Sequence, residues 1–458
     1  MFFNSDGGRE ALYAYIVAGV FRVFGSSVLT LRSSAAAVGV LGVIATYVAV
    51  RRFGRGPALI AMLWTAGSLW MIAVSRDGFR NIITVLVGAA AVAVLIRWGD
   101  RPSRGLAVLA GAVIALGFWT YQPLKLLPLL AIAWVIWIRV RDPERFIRIR
   151  PTLVWAGFAF IVVASPMIYT AVTNPSGYFG RGATVSVLNA GAGSPESYPV
   201  HVLRTLGMFL ITGDPNERHD VAGLPMLGPL LVIPFLFGIW RCWRLRDDHG
   251  HALILIGLVV FLLPPLLAVE GFAPHFLRSL GLAPYVAASI GLGGLEVVRL
   301  ARSLGARLGL ADVAHAMRAG WALCAVAVAG VGVASAVTYV NRPIEDRYAA
   351  FTFADVALAD AAVDNPTDGG PSTLLILDSY NAMDVQFLDA GRLPTIVAPM
   401  RAIGNPAVYS LIVAPSRADI AAAVGASLAA QAQVVASDPE GNPVAFAVIP
   451  QPAIAPTG

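Results

Sequence analysis

Arg76, Asp77 and Arg80 stand close together in the stretch Ser75-Arg76-Asp77-Gly78-Phe79-Arg80-Asn81. On either side the chain is apolar, over Pro57–Val74 and Ile82–Ile96, each run close to the ~20 residues that cross a bilayer. Charges at the mouth of a helical hairpin are costly unless they pair or bind something. An Arg–Asp pair finishing two helices explains the stretch taken alone. A guanidinium clamp for an anion explains it if other cations gather beside it.

The elements that would position these residues are membrane spans. The chain has 458 residues, 57% hydrophobic and 13% charged, with a mean hydropathy of +0.72. That composition describes a mainly α, polytopic transmembrane helix bundle with one water-soluble piece. The net charge of +6 arises from basic residues in short loops between apolar runs, as the positive-inside rule requires. No basic tail, zinc-finger pattern or aromatic-basic interleaving is present, which argues against a nucleic-acid partner. Cys242 and Cys324 flank apolar runs at ends read as cytoplasmic, so neither a disulfide nor a metal site is implied.

The apolar runs predict about ten spans: Val28–Val50, Pro57–Val74, Phe79–Ile96, Gly105–Thr120, Leu124–Ile138, Thr152–Val172, Ala222–Trp240, Ala252–Val269, Phe276–Leu295 and Trp321–Val340. Trp119, Trp134 and Trp137 suit the membrane interface. Arginine-rich loops follow the first, third, fifth, seventh and ninth spans, placing those loops in the cytoplasm and both termini outside. Residues 1–27 then form an external amphipathic segment, 28–340 the transmembrane domain with its outer loop 173–221, and 341–458 a small external α/β domain. The start of the chain lacks the basic n-region and cleavage site of a signal peptide.

On the outer side, Arg9, Arg76, Arg80, Lys125, Arg181, Arg204, Arg218 and Arg278 mostly abut span ends where positive charge is disfavoured. Either they pair with Glu10, Asp77, Asp214, Glu217, Asp220 or Glu270, or they hold an anionic ligand, and both can be true together. The long loop has a Gly/Ser/Ala stretch, Asn189–Ser197, expected to be mobile, and a short amphipathic helix over Leu203–Leu210. Asp214, Glu217 and Asp220 could hold a divalent metal, but with Arg218 among them a self-neutralising cluster is the simpler reading. His219 can act in acid–base work or as a plain hydrogen-bonding partner. Glu270, His275 and Arg278 repeat the combination of acid, histidine and arginine at a membrane edge. In the tail, Phe351–Val363 and Arg417–Ala430 read as helices, and Thr373–Asp378, Tyr409–Ala414, Val434–Ser437 and Val444–Ile449 as strands. No phosphate loop, catalytic elbow or metal motif accompanies them, so the tail reads as a structural cap.

Several stretches taken together resemble a known family: Gly8-Arg9-Glu10-Ala11-Leu12-Tyr13, Leu31-Arg32, Ser75–Arg80, Gly117-Phe118-Trp119-Thr120-Tyr121-Gln122-Pro123 before Lys125 and Pro128, Asn174-Pro175 with Arg181, Asn216-Glu217-Arg218-His219, Gly223-Leu224-Pro225 and Pro274-His275-Phe276-Leu277-Arg278. In this order they resemble bacterial GT-C superfamily membrane glycosyltransferases of the protein O-mannosyltransferase and aminoarabinose-transferase type, over roughly residues 5 to 300. The resemblance implies a polyprenyl-phosphate-sugar donor and an active site on the extracytoplasmic face of the bacterial inner membrane. It also implies inverting transfer to a lipid, glycan or protein hydroxyl. Such enzymes usually carry an acidic motif, the catalytic base, after an additional first helix. This chain begins after that point, which leaves a shortened or inactive relative as an alternative. Asn81 falls about where mannosyltransferase-like relatives have another acid.

The reaction implied needs cations for a leaving phosphate and a carboxylate base for the acceptor hydroxyl. Arg76, Arg80, Lys125, Arg218 and Arg278 are the candidate phosphate-binding residues. Asp77 and Glu10 are the candidate bases, with Asp6 a weaker third. Tyr121, Trp119, His219 and His275 are expected to line the substrate site, Phe79 beside them. No particular cofactor is indicated; a divalent metal is compatible but not implied. A transporter or flippase for the same lipid carriers would instead place charges at the membrane midplane within repeated halves.

Overall fold

The computed structural model describes residues 2–3, 9–76, 78–189, 193, 195–307 and 313–342, and beyond them 358, 373–377, 395–397, 402–403, 405–406, 409–438 and 441–450. Asp6, Asp77, the helix expected over Phe351–Val363 except Leu358, and part of Asn189–Ser197 lie outside the described residues. The chain divides into two compact units, one of Met1–Val20 with Arg32–Asn341 and one of Phe21–Leu31 with Arg342–Gly458.

The larger unit is helical. In order the helices are α1 Leu12–Phe24, α2 Val28–Val50, α3 Arg55–Gly67, α4 Leu69–Arg76, α5 Ile83–Asp100, α6 Arg104–Leu116, α7 Leu127–Arg141, α8 Pro143–Ile149, α9 Leu153–Thr173, α10 Pro175–Val185, α11 Tyr198–Gly207, α12 Pro229–Arg244, α13 His249–Leu267, α14 Ala283–Arg307 and α15 Val313–Val340. Among the described residues, seven helices are long and apolar enough to cross a membrane, or eight if the bent pair α3–α4 counts as one span. The protein is therefore a multi-pass membrane protein. The difference from about ten has local causes. The run expected over Gly105–Thr120 ends as the short α6 followed by a 3-10 turn, and the run from Ala222 begins as loop and becomes helical at Pro229. The second run is broken at Ser68, whose extended backbone turns α4 by 54° away from α3.

α5 and α14 are buried along most of their length, whereas α9 and α15 show most of theirs. Apolar helices with exposed flanks suit a lipid environment, in which each helix satisfies its own backbone. Where helices meet closely they use small residues: a Cβ at Gly238 of α12 would overlap the Ser289 carbonyl, and one at Gly293 of α14 the Pro234 carbonyl. The expected amphipathic stretch Leu203–Leu210 is displaced, forming α11 over Tyr198–Gly207.

Polar side chains cluster at both ends of α5, which spans roughly 27 Å by helix geometry. At its C-terminal end Arg52 donates to Asp100 at 2.8 Å and to Asp248 at 2.7 Å, and His249 Nε2 lies 2.9 Å from Asp100. Trp134, expected at the interface, is instead fully buried here and donates to the His249 carbonyl at 3.1 Å. Its ring is needed to fill the gap between α5, α7 and α13.

The smaller unit carries a five-stranded sheet. β1 (Phe2–Phe3) and β2 (Arg9–Glu10) belong to the first unit; the sheet comprises β3 Leu374–Ile376, β4 Thr395–Val397, β5 Ile412–Ala414, β6 Gln433–Ser437 and β7 Pro443–Val448. The strand order is β4-β3-β5-β7-β6. β3 pairs in parallel with β4 and β5, while β7 runs antiparallel to β5 and β6. The helix expected over Arg417–Ala430 is divided at Gly425, with φ of +95°, into α16 Arg417–Val424 and α17 Ala426–Ala429.

The Asp248 network yields a pH test. Burial pushes the carboxyl up, but hydrogen bonds to His251 and Arg52 outweigh it and hold Asp248 below the usual carboxylate range. A depressed folded pKa contributes stability in full above the unfolded value of about 3.9, and that contribution is lost as pH falls below it. Asp248→Asn is expected to lower the melting temperature in detergent at pH 7, measured by tryptophan fluorescence. The gap to the wild type should close below about pH 4; a gap independent of pH would refute the ionic role.

Candidate active site

At the other end of α5 the loops enclose a cavity of about 740 Å³, a size typical of small-ligand sites. Each cationic side chain reaches it by a different local device. β1 and β2 pair antiparallel, with Phe3 opposite Arg9. Because alternate strand residues face opposite ways, Arg9 lines the cavity while Glu10 turns into the protein and is 2% exposed. Gly78, with φ of 75°, permits the turn that delivers Arg80 on a 3-10 segment before α5. Asn174 caps α10 by accepting from Gly177 N at 3.1 Å, and that helix presents Arg181.

Two loops supply the rest. The loop after α11 is tied by Gly213 N to the Gly223 carbonyl at 3.1 Å and by Gly223 N to the Asp214 carbonyl at 2.9 Å. A Cβ at Gly213 would overlap Leu224 backbone, so this close crossing needs glycine. It presents Arg218 and His219. The loop between α13 and α14 is held by Arg278, whose Nη1 donates to the carbonyls of Ala268 and Glu270, each at 2.8 Å. Val187 N to the Leu267 carbonyl and Val269 N to the Val185 carbonyl, both 2.8 Å, join it to the chain after α10.

Five arginines therefore line one cavity: Arg9, Arg80, Arg181, Arg218 and Arg278. Their anionic partners include two shared carboxylates. Glu270 meets Arg181 at 2.6 Å and Arg278 at 3.2 Å. Glu10 meets Lys125 at 3.0 Å and Arg80 at 3.8 Å. Arg80 Nε is buried with no acceptor among the described residues. Such an orphaned donor costs roughly 1–3 kcal/mol, more when charged, and points to an anionic acceptor. Tyr121 is pushed up by burial, against the pull of Arg278 and Arg80, so it stays a phenol able to donate. An apolar side of Val185, Leu263, Leu267 and Leu277 completes the lining.

His219 and His275 also line the cavity and stack with ring centroids 4.6 Å apart. Burial first, then Arg278 and His219, hold His275 well below the usual histidine range; it is neutral at pH 7. His219 Nδ1 lies 2.7 Å from Asp214 Oδ2, and that same oxygen accepts from Phe276 N at 2.6 Å. The ligand atoms of Asp214, His219 and His275 lie within 4.8 Å of one another, near enough to consider a metal. Hydrogen bonds to Asp214 Oδ2 from the His219 ring and Phe276 N account for the cluster by themselves. Glu217 and Asp220 likewise serve the loop: Glu217 accepts from Ala222 N at 3.1 Å and Asp220 from Val221 N at 2.8 Å.

Of the residues singled out in the sequence, Arg80, Arg218, Arg278, Tyr121, His219 and His275 come together at the cavity. Arg76 does not line it; its guanidinium sits 5.2 Å from the centre of the Tyr339 ring. Lys125 lies behind the lining with Glu10, its Nζ 4.1 Å from the centre of the Tyr178 ring. Glu10 is thus held in ion pairs away from the cavity. Trp119 donates to the Val163 carbonyl at 2.9 Å and pins its 3-10 turn to α9. Asp77 lies outside the described residues. Arg9 and Arg181 join the site although not singled out as phosphate ligands; their signal was a position at odds with the positive-inside rule.

A helical membrane bundle with a cation-rich cavity among the loops at one end defines a class, and comparison with known proteins identifies the fold. The dolichyl-phosphate-mannose-protein mannosyltransferase family matches residues 11–169. The crystal structure of ArnT from Cupriavidus metallidurans in the apo state superposes with a TM-score of 0.59 at 14% identity, covering 96% of this chain and 89% of that one. The structure of ArnT from the same organism bound to undecaprenyl phosphate gives a TM-score of 0.54 at 16% identity, with the same coverage of 96% and 89%. No curated protein sequence matches the chain. The fold is that of ArnT, and the match over residues 11–169 agrees with the resemblance read from the sequence.

The buried ion pair predicts a thermodynamic cycle. Lys125→Met leaves Glu10 without its nearest cation and is expected to destabilise the protein by about 3–5 kcal/mol. Adding Glu10→Gln should restore a large part of that loss, measured by thermal melting in detergent. Additive losses in the double variant would contradict the pairing.

Proposed function

We propose that the protein is an integral membrane glycosyltransferase that moves a sugar from a polyprenyl-phosphate donor to a hydroxyl acceptor at the cavity. The observation that carries this reading is the orphaned Arg80 Nε within a group of five arginines. A phosphate monoester matches that chemistry: it is dianionic, and its oxygens accept bidentate bonds from guanidinium. The apolar side formed by Leu263, Leu267 and Leu277 suits the first isoprene units. Undecaprenyl phosphate bound to the similarly folded ArnT supports the same ligand class here.

In the inverting reaction the acceptor oxygen attacks the anomeric carbon while the bond to the phosphate oxygen breaks. The electron pair passes to the leaving phosphate. Arg80, Arg218 and Arg278, with Arg9 and Arg181, stabilise the charge that develops there. Tyr121 can donate to a phosphate or sugar oxygen. Lys125 acts indirectly by holding Glu10, and Trp119 by fixing the turn before Tyr121. By the charge distribution of the loops, the cavity faces away from the cytoplasm. Cations gathered at one end of the bundle favour chemistry there over transport through the midplane.

Arg80→Ala and Arg218→Ala are expected to lower sugar release from a polyprenyl-phosphate donor at least about hundredfold, the scale at which one charge-stabilising group acts. Arg76→Ala, at a residue that stacks on Tyr339, should retain activity within about threefold. Quantifying liberated polyprenyl phosphate by mass spectrometry in proteoliposomes makes the comparison. Full activity in both cavity variants would refute the clamp.

A further inference from the structure

We infer that the end of the bundle opposite the cavity carries a binding site for an anionic phospholipid, formed by Arg97, Arg101, Arg104 and Arg150 beside Trp155. This site is separate from the cavity and independent of the transferase reading.

Breaks between helices bring the arginines together. Pro102 keeps Arg101 out of helical geometry and ends α5. Ser103 then caps α6, accepting from Leu106 N at 3.2 Å, so that Arg104 is the first residue of that helix. Asp142 caps α8 in the same way, accepting from Arg145 N at 3.0 Å, and α8 leads through Arg150 into α9. Three contacts lock these pieces to one another. Arg145 Nη1 donates to the Gly99 carbonyl at 2.8 Å, and Trp98 Nε1 to Thr152 Oγ1 at 2.9 Å. The Arg104 guanidinium lies 5.6 Å from the centre of the Trp155 ring.

The charge here is left open to a ligand. Arg97, Arg101, Arg104 and Arg150 are exposed, and no carboxylate of the described residues lies within ion-pair distance of them. The chain between residues 97 and 150 holds three acids. Asp100 is engaged by Arg52 and His249, and Asp142 by Arg145, which leaves Glu144 on α8. The loop-charge rule asks for positive charge at this end. It does not ask for four guanidinium groups pinned to one corner of the bundle.

The surface beside that corner selects a lipid over a free anion. α6 and α9 pack so closely that a Cβ on Gly111 would overlap the Ala156 carbonyl. Their outer faces expose Val108, Leu109, Phe158, Ile161 and Val162. Acyl chains can lie along this strip while the headgroup phosphate accepts bidentate bonds from arginine. Trp155, 40% exposed, sits where an indole bridges the apolar and wet layers. An acidic protein would match the charge but not the apolar strip that adjoins it. Anionic lipids give the cytoplasmic leaflet its negative surface, and the loop charges place this end there.

The test follows lipid retained by the folded, full-length protein in native mass spectrometry, after extraction from vesicles of tetraoleoyl cardiolipin and dioleoyl phosphatidylcholine. The wild type is expected to retain cardiolipin in preference to phosphatidylcholine by at least about tenfold. Arg101→Gln with Arg104→Gln should lower cardiolipin affinity about 25-fold, near fivefold for each arginine. Arg302→Gln with Arg307→Gln removes the same charge from exposed positions late in α14 and should change the affinity less than about threefold. Arg80→Ala, at the cavity, should do the same. The inference is overturned if phosphatidylcholine is retained equally or if the Arg101/Arg104 variant binds as the wild type does. Equal losses in the two double variants would overturn it by showing that net charge alone governs binding, and a loss in Arg80→Ala by placing the lipid in the cavity. Displacement of cardiolipin by millimolar inorganic phosphate would show a free-anion site, and displacement by poly-glutamate an acidic-protein surface; either contradicts the lipid site.

Discussion

Guanidinium groups held at an apolar, partly water-excluded rim set the terms for this end of the molecule. A cation there loses hydration that one distant carboxylate cannot replace. Glu10 and Glu270 each serve two cations, and Arg80 Nε remains without an acceptor. The local features around the cavity can be read as means of holding like charges together. They include a two-residue strand pair, a positive-φ glycine, a capped short helix and two cross-linked loops. No single loop could hold five arginines against their mutual repulsion. Five separate segments anchored in the bundle can.

The bundle supplies that anchorage from its far end. Arg52, Asp100, Asp248 and His249 tie α2, α5 and α13 together through contacts of 2.7–2.9 Å. α5, buried along its length, joins that network to Arg80. Close packing at Gly238 and Gly293 keeps α12 and α14 in register, and the loops that carry Arg218 and Arg278 lead into these two helices. The cavity is thus built from loops and 3-10 turns fixed at both ends by helices.

Much of this was legible in the sequence, for identifiable reasons. Long apolar runs give spans because hydropathy is a sum over many residues, and Val28–Val50 matches α2 at both ends. Basic residues at odds with loop charge marked the site, including Arg9 and Arg181. Which of them share a cavity depends on three-dimensional placement. Arg76 is only four residues from Arg80, yet one stacks on Tyr339 and the other lines the cavity. Glu10 looked available as a base because strand alternation over two residues leaves no periodicity to read. The role of His219 stayed open because the Phe276 amide that fixes its neighbour Asp214 lies 62 residues further along the chain. The break at Ser68 was hidden inside a continuous apolar run, since backbone geometry there leaves no trace in hydropathy.

The most direct measurement compares two ligands of equal chain length, undecaprenyl phosphate and undecaprenol, binding to the full protein in native mass spectrometry. If guanidinium–phosphate contact governs the site, the phosphate binds at least about a hundredfold more tightly, equivalent to about 2.7 kcal/mol. Rising salt should erode part of that preference, because Arg181 and Arg218 are exposed to screening while Arg80 and Arg278 are largely withdrawn from water. Equal binding of the phosphate and the alcohol would contradict the account.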